Sequence, residues 1–248
     1  MKNTSKTKQI FCKFRALDYA NVLSPHICDI LENSRLYAPD FTEVNDADEG
    51  RFTFVGSQDE IVEEIRNTKE KLRICSFSLD KALTPSNLDL MWAHYENSHC
   101  GMKIDFTLDS SYQENLFWIH YDAKPLEYCE EETKSFAKKI WIYKKTCFRY
   151  EREYRTILES SDGKYLPIRI CRITLGRRFA TKTKTNEATE NGDFDANDAS
   201  VKIARKFAQK IRKSGGYKEL PEFCAYKSKY SKKAQKIPPN VLEVESYF

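Results

Sequence analysis

Two segments far apart in the chain carry polar and titratable side chains inside hydrophobic runs, and this pattern constrains the fold most. The first segment contains ICSFSLD at residues 74–80 and LMWAHYENSHCGMKIDF at residues 90–106. The second is RYEREYRTI at residues 149–157. Buried charge is costly unless a partner compensates it. The fold must therefore pair these side chains, either in a fixed structural network or in an active site.

Composition excludes several classes of protein. The 248 residues are 40% hydrophobic and 13% aromatic, which is enough for a sizeable core. No apolar run approaches the roughly 20 residues of a membrane-spanning helix, and the polar start MKNTSKTKQ lacks the apolar stretch of a secretory signal. The eight cysteines are scattered without a CxxC pair, which is typical of free thiols in a reducing cytoplasm. We therefore expect a cytoplasmic protein with no membrane partner and no metal.

The net charge of +4 conceals an asymmetry along the chain. Residues 40–70 contain ten acids and three bases, whereas residues 202–236 contain twelve bases and two acids. A basic region of this kind is typical of proteins that bind nucleic acid, and equally of a solvated lysine-rich helix. The first interpretation predicts salt-dependent binding that is lost when residues 227–236 are deleted.

Short strands alternate irregularly with helices along the chain. Periodicity and end signals predict helices at residues 24–33, 57–71, 87–97, 131–145 and 199–214. Alternation and β-branched or aromatic residues predict strands at residues 10–15, 36–38, 72–78, 102–106, 118–121, 124–128, 155–159 and 165–175. This order indicates an α+β fold with a mixed or mostly antiparallel sheet. We expect an α+β domain at 1–180, a polar loop at 181–200, and a helix with a basic extension of the same domain at 201–248.

Several motifs, in a fixed order, carry a family resemblance. They are KFRALD (13–18), ILENSRLYAP (30–39), NDADEG (45–50), SFS (76–78), MWAHYENSHCG (91–101) and RYEREYR (149–155). Together they resemble the uncharacterised bacterial family known as domain of unknown function 2971, over roughly residues 10–180. Ala47 departs from the family pattern, which usually has proline there. The resemblance brings no established activity.

The order arginine, Ser-x-Ser, Glu-x-Glu is similar to that of ADP-ribosyltransferases of the arginine-serine-glutamate class. This resemblance implies an ADP-ribosyltransferase-like fold and NAD as substrate. Arg15 would contact the dinucleotide, and Ser76 with Ser78 would shape the nicotinamide pocket. Glu153 would hold a ribose hydroxyl and stabilise the cationic ribose as nicotinamide leaves.

The remaining roles in this hypothesis fall to neighbours of the same motifs. Glu151 is expected on the same strand face as Glu153, because side chains two residues apart in a strand share a face, and it would activate an acceptor. His94 and Tyr95 would complete the wall of the pocket. The chemistry is consistent, since an oxocarbenium-like state needs a nearby carboxylate and a pyrophosphate favours arginine. The expected partner is an unknown acceptor, protein or nucleic acid, and cleavage of NAD with water as the acceptor stays open. The expected role is a bacterial toxin or a phage-defence effector.

Two other interpretations of the same residues remain open. Arg149, Arg152 and Arg155 would pair with the two glutamates across an ordinary strand ladder, which needs no catalysis. Alternatively, His94 and His99 would serve a metal-assisted hydrolase, although their spacing of five does not place two ligands on one helical face. A stoichiometric metal that is lost in His94→Ala is the prediction of that alternative.

Overall fold

The structure is a computed structural model that describes residues 9–18, 22–44, 49–54, 59–95, 98–129, 132–180, 194, 198–226 and 231–243. Most of the predicted polar loop at 181–200 lies outside the described residues. So do Ala47, residues 45–48 of the predicted acidic loop, Ser57 and residues 227–230 of the basic region.

The chain forms an α+β structure. The helices are α1 Pro25–Asn33, α2 Asp59–Glu70, α3 Pro85–Tyr95, α4 Thr133–Ile140, α5 Ala199–Ser214 and α6 Pro239–Glu243. The strands are β1 Phe11–Ala16, β2 Arg35–Tyr37, β3 Phe52–Thr53, β4 Leu72–Leu79, β5 Gly101–Leu108, β6 Leu116–Trp118, β7 His120–Asp122, β8 Leu126–Glu127, β9 Tyr143–Lys145, β10 Glu153–Glu159, β11 Tyr165–Leu175, β12 Glu222–Ala225 and β13 Gln235–Lys236. Six 3-10 helices lie at Phe41–Glu43, Asp80–Ala82, Ser110–Asn115, Thr146–Glu151, Ser160–Asp162 and Arg177–Phe179, counted among the described residues.

The chain divides into two compact units that are each built from separate segments. Unit 1 contains Met1–Arg35, Thr84–Thr107 and Ile168–Phe248, and unit 2 contains Leu36–Leu83 and Leu108–Pro167. Unit 1 therefore combines segments from both sides of the boundary predicted near residue 180.

In unit 1 the strand order is β13-β12-β11-β5-β1. β1 and β5 are antiparallel, with Phe11 opposite Phe106 and Ala16 opposite Gly101. β11 and β12 are parallel, and β12 and β13 are antiparallel. Helix α5 connects β11 to β12, and α1 and α6 pack against it. Its length and bounds agree with the prediction, because Gly215 ends the helix with a left-handed φ of 68°.

In unit 2 the strand order is β4-β10-β6, and all these pairs are antiparallel. Two parallel two-stranded sheets, β3/β8 and β7/β9, belong to the same unit. Helices α2 and α4 pack together, because each places apolar side chains such as Ile65 and Phe136 on one face. A second buried cluster joins Trp141 of the segment after α4 to Leu72 and Ile157 of the strands.

Two predicted elements differ most clearly from the structure. The strand expected at 118–121 is divided between β6, which ends at Trp118, and β7, which begins at His120. The helix expected at 131–145 ends at Ile140, and Tyr143–Lys145 is the strand β9. The backbone carbonyl of Trp141 accepts a hydrogen bond from the Arg155 guanidinium at 2.7 Å. A continuing helix would need that carbonyl for the N–H group four residues later, so the long-range bond favours termination.

Candidate functional site

The predicted serines and Glu153 lie on one face of the β4/β10 pair in unit 2. Ser78 is opposite Glu153, and Ser76 is opposite Arg155. Because strand side chains alternate between faces, all four share a face. Leu72 and Ile74 of β4 share this face with the two serines.

The carboxylate of Glu153 is held by charged partners on both oxygens. The Arg155 Nε atom donates to Oε1 at 2.7 Å, and the Lys144 Nζ atom donates to Oε2 at 3.1 Å. The Ser76 side chain also hydrogen-bonds to this carboxylate. Glu153 is only 3% exposed. The group is therefore a buried carboxylate whose charge is compensated from two directions.

Glu151 reaches the same ammonium from a different element. It ends the 3-10 helix Thr146–Glu151, and its Oε2 atom lies 2.7 Å from Lys144 Nζ. Arg152 follows in the left-handed region with φ 48° and ψ 49°, which is uncommon for a residue other than glycine. The expectation of a shared strand face is corrected here, because β10 begins only at Glu153. The turn at Arg152 lets both carboxylates meet Lys144.

A third carboxylate completes what we call the buried charge cluster, formed by Glu49, Lys144, Glu151, Glu153 and Arg155. The Arg155 Nη1 atom lies 2.6 Å from Glu49 Oε1. Arg155 itself is 1% exposed, and the side chains of Glu49 and Lys144 are also almost fully buried. All five residues belong to unit 2.

The charges of the cluster keep Glu153, Lys144 and Arg155 ionised. Burial raises the pKa of Glu153, but the charges of Arg155 and Lys144 outweigh burial and hold that pKa well below its usual range. Burial lowers the pKa of Lys144, yet the attraction of Glu153 and Glu151 raises it above the ordinary value. For Arg155 the same opposition between burial and the carboxylates of Glu153 and Glu49 also ends in a raised pKa.

Neutral partners orient the same region. The backbone N–H group of Glu153 donates to the Tyr121 hydroxyl at 2.9 Å. Burial, opposed by this hydrogen bond, raises the pKa of Tyr121, so the phenol stays protonated at neutral pH. The Nε atom of Arg152 is buried and has no hydrogen-bond partner within the described part of the chain. Strained backbone and unpaired buried groups of this kind concentrate at functional sites.

The alternative strand-ladder pairing is present only in part. Arg155 does pair with Glu153, but the second cation is Lys144. Arg149 instead donates to the backbone carbonyl of Tyr121 at 3.4 Å. Sequence reasoning missed Lys144, because it was assigned to a helix, and Glu49, because it follows an acidic stretch without periodicity.

The other predicted site residues belong to unit 1. Arg15 lies near the end of β1, opposite Met102, and is half-buried. His94 and Tyr95 end helix α3, and both are exposed. The Ser and Glu motifs are thus brought together in unit 2, whereas Arg15, His94 and Tyr95 are residues of unit 1.

His99 is a packing residue of unit 1. Its ring stacks on Trp92 with centroids 5.4 Å apart, and its backbone has a left-handed φ of 68°. Burial and the nearby Arg177 lower the pKa of His99, so the ring is neutral. Among the residues that the structure describes, neither His94 nor His99 joins a cluster of three metal-ligating side chains.

A polar groove of about 470 Å³ lies elsewhere in unit 2. Its lining includes Leu72, Thr133 and Glu159. The Leu72–Glu159 pair lies six residues along the strands from the Ser78–Glu153 pair. At about 3.3 Å per residue, the two pairs are roughly 20 Å apart. The groove therefore lies at the opposite end of the β4/β10 pair from the buried charge cluster.

Within the described ranges, no helix has the length and apolar character needed to cross a bilayer. Comparisons of the chain with family models, with curated proteins and with solved structures find no match.

Proposed function

We propose that the protein is an ADP-ribosyltransferase-like enzyme that cleaves NAD and transfers ADP-ribose to an acceptor protein or nucleic acid. One observation carries the proposal: the buried carboxylates of Glu151 and Glu153 meet at a single ammonium, Lys144 Nζ, at 2.7 and 3.1 Å. The ADP-ribosyltransferase-like fold and a role as a toxin or defence effector are parts of the same proposal.

Cleavage of NAD in this proposal requires an ionised carboxylate in surroundings of low dielectric. Nicotinamide leaves as the ribose gains oxocarbenium character, and a fixed negative charge beside the ring stabilises that state. Glu153 meets this need because its partners keep its pKa well below the usual range. Ser76 and Ser78 line the nicotinamide pocket, and Glu151 accepts the proton of the attacking group.

The remaining residues act on the rest of the substrate. Arg15 contacts the pyrophosphate, for which a guanidinium has matching geometry. His94 and Tyr95 form the wall of the pocket. These three assignments rest on the sequence motifs, because the three residues belong to unit 1 and the carboxylates to unit 2.

Catalysis in this proposal requires Lys144 to release the carboxylates. Both oxygens of Glu153 are occupied in the described state, so a substrate reaches it only when one partner moves. Lys144 is the partner that moves in this proposal, because Arg155 is also held by Glu49 and by the Trp141 carbonyl. The cationic ribose then replaces the ammonium between the two carboxylates, and charge balance is preserved.

The test measures nicotinamide release from NAD by the purified protein, with cell lysate supplied as the acceptor. Glu153→Gln keeps the side-chain shape and is expected to lower turnover by about 10²–10³-fold, as the loss of one electrostatic group in a transition state does. Glu159→Gln is the matched control, since it lies on the same strand with a half-exposed side chain. Turnover of this control should equal that of the wild type.

A second variant separates the two carboxylates. Glu151→Gln should retain hydrolysis of NAD by water and lose transfer to the acceptor. Thermal unfolding of each variant shows whether lost turnover reflects lost folding. If the folded wild type neither binds NAD nor releases nicotinamide with lysate present, the proposal is wrong and the buried charge cluster is structural.

A further inference from the structure

Helix α5 has an unusual distribution of charge. Its sixteen residues include Lys202, Arg205, Lys206, Lys210, Arg212 and Lys213, and no acid. Its apolar face, which includes Val201, Phe207 and Ile211, is buried in unit 1. The basic residues therefore lie on the solvent side of a helix that the core holds in place.

Three of these cations and one glutamine form a line. Lys202, Lys206, Gln209 and Lys213 are all exposed. Their spacing of four, three and four residues places them on one helical face. At about 1.5 Å per residue the line is roughly 16 Å long. We call these four positions the α5 stripe.

The lysines of the α5 stripe differ in their contacts from other cations of the helix. Lys210 pairs with Glu32 of α1 at 2.7 Å, and Arg205 donates to the Val241 carbonyl at 2.8 Å. Those two side chains attach the neighbouring helices. Lys202, Lys206 and Lys213 make no ion pair within the residues described by the structure. Among the described residues, these three ammonium groups are therefore open to an external anion.

We propose that the α5 stripe binds the phosphate backbone of a nucleic acid without sequence specificity. A line of lysine ammonium groups on a rigid helix matches a regular row of phosphates, because each ammonium acts as a mobile point charge. The free energy comes from release of counterions condensed on the nucleic acid. The inference is independent of the NAD chemistry proposed above, since none of the residues that carry it is assigned to the NAD site.

The packing of α5 argues against an anionic membrane as the partner. A helix that binds a bilayer inserts an apolar face into the headgroup region. The apolar residues of α5, such as Ile203, Phe207 and Ile211, are instead buried in the protein. Only the polar side of the helix is offered to a partner, which favours a soluble polyanion.

The expected signature is quantitative. Each lysine that neutralises one phosphate contributes about 0.9 to the slope of log Kobs against log salt for duplex DNA. Replacement of Lys202, Lys206 and Lys213 by glutamine should therefore reduce the magnitude of the slope by about 2.7. Glutamine is a good helix former, so the fold should be retained.

The experiment follows fluorescence anisotropy of labelled duplexes of DNA and RNA, titrated with the full chain between 50 and 200 mM salt (approximate limits set by the range in which such binding weakens). The triple variant Lys202→Gln, Lys206→Gln, Lys213→Gln is compared with a control that removes the same charge from exposed positions of unit 2. That control is Lys71→Gln, Lys81→Gln, Lys124→Gln. Thermal unfolding confirms that both variants are folded.

Weakened binding and a reduced slope in the first variant, with neither in the control, support the proposal. Equal losses in the two variants would mean that only net charge matters, and the α5 stripe would not be the site. The proposal is also overturned if the wild type fails to bind either duplex at the lowest salt, or binds anionic vesicles more tightly than duplexes.

Discussion

Replacement of Lys144 by methionine tests the buried charge cluster most directly. Methionine retains much of the length of the side chain and removes the ammonium. In the wild type that ammonium lies 2.7 Å from Glu151 and 3.1 Å from Glu153, and only 9% of the Lys144 side chain is exposed. The variant therefore leaves two buried carboxylates that have lost a shared partner.

The expected cost follows from this geometry. Removal of one partner from a buried ion pair typically costs about 3–5 kcal/mol, because an uncompensated charge remains in the interior. Whole domains unfold with only about 5–15 kcal/mol, so the loss is a large fraction of the total. We expect the midpoint of thermal unfolding to fall by about 6–20 °C, given about 2–4 °C per kcal/mol for chains of this size.

A double-mutant cycle separates the ion pair from simple loss of packing. Glu151→Gln in the Lys144→Met background removes one of the two carboxylates that need a partner. The double variant should therefore be less destabilised than the sum of the two single variants, by a coupling energy of about 0.5–3 kcal/mol. Urea unfolding of the four proteins at pH 7 provides the four free energies.

The pH dependence of stability tests the same cluster independently, through the direction in which the effect of Lys144→Met changes in acid. Without Lys144, the pKa values of Glu151 and Glu153 should rise, and protonation then relieves their unpaired charge. The stability gap between Lys144→Met and the wild type should narrow as the pH falls from 7 towards 5. Three results would refute this reasoning. The first is a cost of Lys144→Met below about 1 kcal/mol, which is typical of a surface ion pair. The others are an absence of coupling with Glu151 and a stability gap that widens in acid.

Two further results are expected. The lowered pKa of Glu153 contributes stability that is complete above the ordinary carboxyl value of 4.5 and is lost as the pH falls below it. Urea unfolding is measured between pH 6 and 3, about the range in which carboxyl groups titrate. The free energy of unfolding should fall less steeply with acid in Glu153→Gln than in Glu60→Gln. Gly176→Ala should lower the free energy of unfolding by about 1–3 kcal/mol, because the added Cβ would lie 2.2 Å from the backbone oxygen of His99. The control is Gly216→Ala at an exposed position, where the added Cβ meets only a side-chain oxygen at 3.8 Å. Equal stabilities of the two variants would contradict the close approach at Gly176.

Sequence alone predicts those elements whose signals are local. Helix α5 and strand β11 have the predicted bounds, because a glycine ends the first and a turn with Gly163 precedes the second. The α+β class and the mostly antiparallel pairing are also confirmed. Helix α4 ends early owing to the Trp141–Arg155 hydrogen bond, which joins residues far apart in sequence and leaves no local mark.

The candidate site also has one part that the sequence predicts and one part that it does not. The Ser-x-Ser and Glu-x-Glu patterns predict which strand faces carry polar groups, and the register of β4 with β10 aligns Ser78 with Glu153. The partners that set the charge state could not be predicted. Glu49 and Lys144 come from a loop and a short strand, so only the tertiary structure shows that they compensate Arg155 and the two glutamates.

The division of the chain into interleaved segments has a consequence for biosynthesis. The last segment of unit 2 ends at Pro167, so that unit is complete before α5 and β12 have been made. Unit 1 needs segments that begin at both ends of the chain, and about 150 residues separate Ala16 of β1 from Ile168. At about 5–20 residues per second, β1 waits on the order of ten seconds for its unit to be completed. During this interval β1 pairs with β5, and Phe11 and Phe14 gain Phe106 and Trp92 as neighbours. The edge of β5 that β11 covers stays open until the residues from Ile168 onwards have been made, and an open strand edge is a template for pairing with another chain.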